Sequence, residues 1–249
     1  MPAGYCSPKG RLLATPRLFQ EGDTIGMIVA ASNADYLVKR LKMYVLRSKV
    51  TIERAADREV LGLVGSAPTN LGDGALVFEL PCALPQARIA AALPSGLGLA
   101  IVPKGTTCAG SDPLWWAACA AAGQSWVFGE TAERFTPHAV NLDLIGGISF
   151  NKGCYTGQEV VSRIEHIGKT NRRTVLLAAN DPLELAPGTD LTDDQGQAVA
   201  TVLYGAKLAD RTLLLAEVST ETAQSEAALD TTAATLHRLP LPYGWTRTK

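Results

Sequence analysis

The stretch Gly146-Gly147-Ile148-Ser149-Phe150-Asn151-Lys152-Gly153-Cys154-Tyr155-Thr156-Gly157-Gln158-Glu159 encodes a loop that leads into a helix. Glycine adopts positive φ at little steric cost and lets other groups approach the backbone closely, so a segment this rich in glycine is a shaped loop. Thr156 and Glu159 match the T-x-x-E capping box, which predicts that the helix is capped by Thr156. Apolar residues then recur at helical spacing, at Val160, Val161 and Ile164.

Cys154 lies in this loop just before the predicted helix, and Lys152 stands two residues ahead of it. The positive end of a helix dipole and a nearby ammonium both favour a thiolate. The pattern therefore predicts a reactive or ligand-contacting thiol at Cys154. The alternative is a buried cysteine in a tight connection, since free cysteines are commonly small buried hydrophobes.

The run K-G-C-Y-T-G-Q-E at 152–159, preceded by G-G-I-S-F and followed by V-V-S-R, resembles the signature of the YgfZ family. These are folate-binding proteins of iron–sulfur cluster assembly and tRNA modification, built on the aminomethyltransferase fold of the glycine cleavage T-protein. Three further segments resemble the family in the same order, at 4–14, 134–142 and 239–243. His138 stands where the family usually has Gln.

The fold class implied is α+β. The resemblance indicates a T-protein-like, folate-binding mixed-sheet region over residues 1–165 and a small C-terminal β-barrel over residues 172–249. Family members carry additional strands before the hairpin that begins near Tyr5, so this region is expected to lack its first strands. Period-two alternation supports the barrel, with strands near 174–179, 197–205, 212–218 and 234–239.

Local signals predict further elements in the first region. Asp112 is expected to cap a helix over Pro113–Ala122 that stops at Gly123. Ser32 or Asn33 is expected to cap an earlier helix. Its apolar stripe is predicted at Tyr36, Leu37, Leu41, Tyr44 and Val45. A strand is expected over Val50–Ile52 and a short helix over Gln86–Leu93.

The resemblance also assigns roles to residues. It makes Cys154 the key, catalytic thiol with Lys152 as its thiolate-favouring neighbour. The residues expected to contact the cofactor, tetrahydrofolate, are Trp115, Tyr155, Gln158, Glu159 and Arg163. Two of these residues have an alternative role. Trp115 is equally consistent with packing in the core, and Glu159 with capping the helix. Ala121 stands where T-protein relatives have a pterin-binding Glu, so folate binding is expected to be weak or conditional.

The leading functional expectation is a folate-binding accessory protein that supports iron–sulfur enzymes, including tRNA-modifying ones, with those enzymes or cluster carrier proteins as partners. One alternative is a T-protein-like aminomethyltransferase, which the alanine at 121 disfavours. Another is a scaffold that binds no folate. A hydrolase pairing Cys154 with His138 or His166 rests on residue type alone. Whether the protein is an enzyme stays open.

Composition limits these functions. The five cysteines form no C-x-x-C pair and the three histidines lie far apart, so no resident metal or cluster site is expected. An odd cysteine count without a signal peptide fits a reduced, cytoplasmic protein. No apolar run is long enough to span a membrane.

The formal net charge of −1 does not indicate nucleic-acid binding. The most basic segment holds Lys39, Arg40, Lys42 and Arg47. A solvated helix face is the favoured interpretation of this segment, because base-stacking aromatics are not expected on its basic side.

Overall fold

The computed structural model describes residues 1–66, 70–80, 96–168 and 170–244. Its helices are α1 (Ala31–Lys42), α2 (Asp112–Ala121), α3 (Gln158–His166) and α4 (Thr220–Gln224). Its strands are β1 (Tyr5–Cys6), β2 (Leu12–Ala14), β3 (Arg17–Glu21), β4 (Thr24–Ile28), β5 (Arg58–Val64), β6 (Leu76–Glu79), β7 (Leu97–Pro103), β8 (Arg172–Ala179), β9 (Asp190–Thr192), β10 (Ala198–Lys207), β11 (Thr212–Ser219), β12 (Leu229–Asp230) and β13 (Thr235–Leu239). None of the described helices is long and apolar enough to cross a membrane.

The first region is built from small antiparallel units. β1 pairs with β2, β3 pairs with β4, and β7 lies between β5 and β6. The predicted strand over Val50–Ile52 is wrong: these residues form no strand, Val50 is 56% exposed, and Ile52 is only partly buried. The predicted helix over Gln86–Leu93 lies outside the described residues, as does Cys82.

The C-terminal region is a six-stranded antiparallel sheet in the order β12-β13-β8-β11-β10-β9. Its two ends meet, because the Thr232 N–H donates a 2.8 Å hydrogen bond to the Thr192 carbonyl. The predicted strands of this region are confirmed, and the sheet curls back on itself.

Both faces of the curled sheet are buried. Successive strand side chains point to opposite faces. Leu176 and its cross-strand partner Leu215 join the main core, whereas Val175 and Ala216 pack inside the curl. This explains why the strands carry long apolar runs in addition to alternation.

Helix α2 joins the two regions through an aromatic cluster. The Trp116 ring lies edge-on to Trp126, Phe128 and Tyr204, with centroid distances of 6.2, 5.5 and 5.4 Å. The Tyr204 hydroxyl donates to the Gln124 carbonyl at 2.5 Å. The helix bounds are confirmed within one residue, and Gly123 follows the helix end with φ +62°. The predicted cap is wrong, because Asp112 is the first helical residue and the N-cap is Ser111, whose side chain makes no capping hydrogen bond.

Helix α1 is attached differently from the prediction. Neither expected cap is used as a cap. Ser32 Oγ accepts from the Gly129 N–H at 2.9 Å, and the buried Asn33 side chain donates to the Val127 carbonyl at 2.6 Å. Leu37 is 2% exposed as expected, but Tyr36 and Tyr44 are 48% and 57% exposed. The predicted apolar stripe is therefore only partly buried.

Candidate functional site

The predicted capping box at the start of α3 is wrong. The N-cap is Gly157, in the left-handed conformation with φ +81°, and no side chain caps the helix. Gln158 instead holds the loop through two hydrogen bonds to Tyr155. The Gln158 side-chain Oε1 accepts from the Tyr155 backbone N–H at 3.2 Å, and the Gln158 backbone N–H donates to the Tyr155 carbonyl at 3.1 Å. Glu159 lies exposed in the first turn, where a carboxylate favours the helix dipole.

Gly157 packs directly on the turn at residues 7–10. A Cβ at Gly157 would lie 2.5 Å from the Ser7 carbonyl oxygen and 2.9 Å from the Gly10 Cα. Gly10 has φ +68°, and a Cβ there would lie 2.7 Å from the Val160 Cβ. The turn itself is closed by the Gly10 N–H donating to the Ser7 carbonyl at 2.9 Å. Two segments distant in sequence thus meet at a contact with no room for a side chain.

Cavity 1, of about 310 Å³, opens beside this contact. Its lining includes Tyr5, Cys6, Lys152, Tyr155 and Thr156. The Lys152 Nζ lies 4.6 Å from the centre of the Tyr155 ring, a cation–π geometry. Burial raises the pKa of the Cys6 thiol to about 11, with the Lys152 ammonium opposing, so Cys6 stays protonated at neutral pH.

Cys154 is exposed in the loop ahead of α3. The buried-cysteine alternative therefore does not apply to it, although it describes Cys6 and Cys119. Both candidate histidine partners have other contacts: His138 Nε2 lies 3.0 Å from Glu165, and the His166 ring packs on Phe150. The structure gives a Cys–His hydrolase no support.

Charged groups anchor the far end of α3 and the neighbouring backbone. Glu165 of α3 pairs with His138, whose side chain is 2% exposed. Arg173 of β8 forms a bidentate pair with Asp143, at 2.8 and 3.1 Å, and donates to the His138 carbonyl at 2.8 Å. Hydrogen-bonded charges of this kind hold a buried geometry firmly, and their disruption leaves an uncompensated charge. The helix is thus held at both ends.

The remaining predicted site residues lie elsewhere. Trp115 packs over β5, where a Cβ at Gly62 would fall 2.2 Å from its indole ring. Arg163 and Glu159 are exposed on α3. Trp115, Arg163 and Glu159 do not line cavity 1. Contact of any predicted residue with folate stays a prediction.

A second cavity, cavity 2, has a volume of about 500 Å³ and was not predicted from the sequence. Its walls include Phe19 and Phe78, whose ring centroids are 4.9 Å apart, together with Ile145. The cavity also contains a buried cation, Arg17, and one carboxylate among its described lining residues, Glu79. No local pattern reveals this cavity, because its described walls come from seven separate segments of the chain.

Arg17 is 4% exposed and stacks on Trp126, with its Cζ 4.3 Å from the ring centre. It donates to the Thr15 and Ser125 carbonyls at 3.0 Å, whereas its Nε has no hydrogen-bond partner in the described structure. Burial lowers its pKa to about 10. No described carboxylate pairs with it, and the stretches outside the described residues contain no Asp or Glu. The cavity therefore offers an uncompensated positive charge.

Ala121, the position of the missing pterin-binding Glu, is 1% exposed and belongs to the main core. It lines neither cavity 1 nor cavity 2.

Comparison with known proteins places the chain among named relatives. It is 31% identical over 264 residues to the tRNA-modifying protein YgfZ of Yersinia pestis (strain Pestoides F), covering 96% of this chain and 79% of that protein. It is 32% identical over 265 residues to the protein of the same name from Shigella boydii serotype 4 (strain Sb227), covering 97% and 81%. No family model matches the chain.

The crystal structure of glycine cleavage system aminomethyltransferase T from Bartonella henselae superposes with a TM-score of 0.63. It covers 97% of this chain and 74% of that one at 10% identity. The likeness confirms the predicted α+β, T-protein-like fold.

Replacing Gly157 with alanine tests the contact beneath the motif loop. A positive φ costs an alanine about 1–2 kcal/mol, and the clash with the Ser7 carbonyl adds about 1–3 kcal/mol. Gly196→Ala is the matched control, because Gly196 has φ +76° with nothing within 4 Å of the added Cβ. Urea unfolding should show a larger stability loss for Gly157→Ala. Equal losses would contradict the close contact.

Proposed function

The chain belongs to the YgfZ family, and we propose that it is a folate-binding accessory protein for iron–sulfur enzymes. Its clients would include tRNA-modifying enzymes, as the names of its relatives suggest. The cluster would be cargo or a client's cofactor. The single observation that carries the proposal is the position of Cys154, an exposed thiol on an ordered loop that also places Lys152 at cavity 1.

An exposed thiol of this kind can act on a protein client, because the described part of the chain leaves it open to solvent. As a thiolate it can serve as a transient cluster ligand or attack a client disulfide. Cys108 is the other exposed cysteine among the described residues, and it lies in the loop before α2 rather than in the motif. This difference provides the control for the experiment below.

Tetrahydrofolate fits the chemistry of cavity 2 better than that of cavity 1. The cavity offers aromatic walls for a flat ring system, Glu79 for its N–H donors and Arg17 for a carboxylate. Arg17 lines this cavity and has no carboxylate partner among the described residues, and this unpaired charge favours an acidic ligand here. When bound, tetrahydrofolate would supply one-carbon chemistry, while these residues would orient it and shield it from water.

A T-protein-like aminomethyltransferase is less well supported. Ala121 provides no carboxylate and points into the core. One charge-assisted hydrogen bond is worth about 1.5–3 kcal/mol, or roughly ten- to hundredfold in affinity. Ala121 lines neither cavity, so this loss counts against aminomethyl transfer, and weak folate binding stays the expectation from the sequence.

Cys154→Ala should abolish the support of iron–sulfur enzymes and leave the fold intact. The side chain is exposed, so the change in the free energy of unfolding should stay within about 0.5 kcal/mol. The readout is the level of a nucleoside made by an iron–sulfur tRNA-modifying enzyme, in a strain that lacks its own family member. Cys108→Ala should complement like the wild type. Full complementation by Cys154→Ala would contradict the assignment.

Filling one cavity at a time should locate the folate site. Ile145 lines cavity 2 and Ile148 lines cavity 1, and both are partly buried against the main core. In calorimetric titrations with tetrahydrofolate, Ile145→Phe should lose the weak binding of the wild type, and Ile148→Phe should keep it. The reverse result would move folate to cavity 1. No binding by any of the three proteins would favour the scaffold that binds no folate.

A further inference from the structure

A cluster of unpaired positive charge surrounds the C-terminal end of α1. We call it the basic patch, and its members are Lys39, Arg40, Lys42, Arg47 and Lys49. Within the described residues, none of these five has a carboxylate within 4 Å, whereas the nearby Arg54 pairs with Asp35 at 3.4 Å. The undescribed stretches contain no Asp or Glu to neutralise them.

Helix energetics account for only part of the patch. Lys39, Arg40 and Lys42 lie in the last turn of α1, where cations favour the helix dipole. Arg47 and Lys49 lie beyond the helix and are exposed, so the dipole does not account for them. In a chain whose net charge is −1, this concentration needs another explanation.

Aromatic rings lie among these charges. Tyr36 and Tyr44, expected from the sequence to be buried, are 48% and 57% exposed. The Arg40 Cζ lies 5.7 Å from the centre of the Tyr44 ring. Solvation was the favoured interpretation of this segment because base-stacking aromatics were not expected on its basic side. The exposed rings of Tyr36 and Tyr44 contradict that expectation.

The patch continues into cavity 1, because Tyr44 also lines that cavity together with Tyr5, Tyr155 and Lys152. Three tyrosines and a lysine are thus among the residues that line one open space of about 310 Å³. This volume is at the lower end of the range for small-ligand pockets, so it suits a single planar group.

We propose that the basic patch and cavity 1 bind single-stranded nucleic acid. Lysine and arginine side chains of the patch contact the phosphates, one base stacks on Tyr44, and a neighbouring base enters cavity 1. Positively charged grooves with aromatic stacking platforms are how proteins bind single strands. An acidic protein segment would satisfy the charges but would leave the tyrosine-lined cavity without a planar ligand.

The inference goes beyond the proposed function. Cys154 can support iron–sulfur enzymes without any nucleic-acid contact, and the binding experiment requires neither those enzymes nor folate. A negative result for nucleic-acid binding therefore does not contradict the proposed function, and a failure of the proposed function does not contradict nucleic-acid binding.

Fluorescence anisotropy with labelled single strands of about 12 nucleotides tests the proposal, using RNA and DNA of one sequence. Binding of either strand supports it, and their relative affinities distinguish the two sources. A plot of log affinity against log salt has a negative slope, whose magnitude grows with the number of phosphates neutralised. The triple variant Lys39→Gln, Lys42→Gln, Arg47→Gln should reduce the magnitude of this slope by about 2. The control triple Lys104→Gln, Lys207→Gln, Arg211→Gln removes the same charge elsewhere and should leave the slope unchanged.

Tyr44→Ala should weaken binding about fivefold to hundredfold, and Tyr44→Phe, which keeps the ring, should bind like the wild type. A duplex of the same sequence should bind more weakly than the single strands, because its bases are already stacked.

Three results would overturn the proposal. One is the absence of saturable binding to either strand at about 50 mM salt. Another is an equal loss of affinity in the two triple variants. The third is a labelled polyglutamate that binds through the basic patch as tightly as RNA, with no effect of Tyr44→Ala, since this would identify an acidic protein partner.

Discussion

The contact between Gly157 and the turn at residues 7–10 is the constraint on which the site depends. A side chain at Gly157 would overlap the Ser7 carbonyl, and one at Gly10 would overlap Val160. The first hairpin and the motif helix therefore approach at backbone distance. That approach sets the start of α3 and brings the neighbouring Cys6 and Thr156 to cavity 1, while Cys154 lies at the surface. The Glu165–His138 pair holds the other end of the same helix.

The structure provides two cavities of different chemistry. Cavity 2 combines apolar and aromatic walls with the buried, unpaired cation of Arg17, which favours a flat ligand that carries an acid group. Cavity 1 is lined by tyrosines and Lys152 and continues into the basic patch, which favours a planar group on a polyanion. Separate sites would let a small cofactor and a macromolecule bind at the same time.

Much of the fold could be predicted from local patterns. Alternation identified the four main strands of the curled sheet, and helical spacing identified α3, because burial of one face leaves a periodic trace in the sequence. The capping box failed because it placed the N-cap at Thr156, whereas the close contact with Ser7 puts Gly157 at that position. The apolar stripe of α1 failed at Tyr36 and Tyr44, since periodicity does not reveal which side of a helix a neighbouring element covers. Cavity 2 could not be predicted, because Arg17, Phe78 and Ile145 meet only through tertiary packing.

Hydrogen–deuterium exchange tests most directly whether the first hairpin and the motif helix form one unit. In Gly157→Ala under native conditions, we expect residues 4–14 and 153–166 to lose protection together, while β8, β10 and β11 keep theirs. Their protection should fall by the same factor, because one opening event would expose both segments. Loss confined to residues 153–166, with the hairpin still protected, would contradict the claim that this glycine contact joins the two segments into a single site.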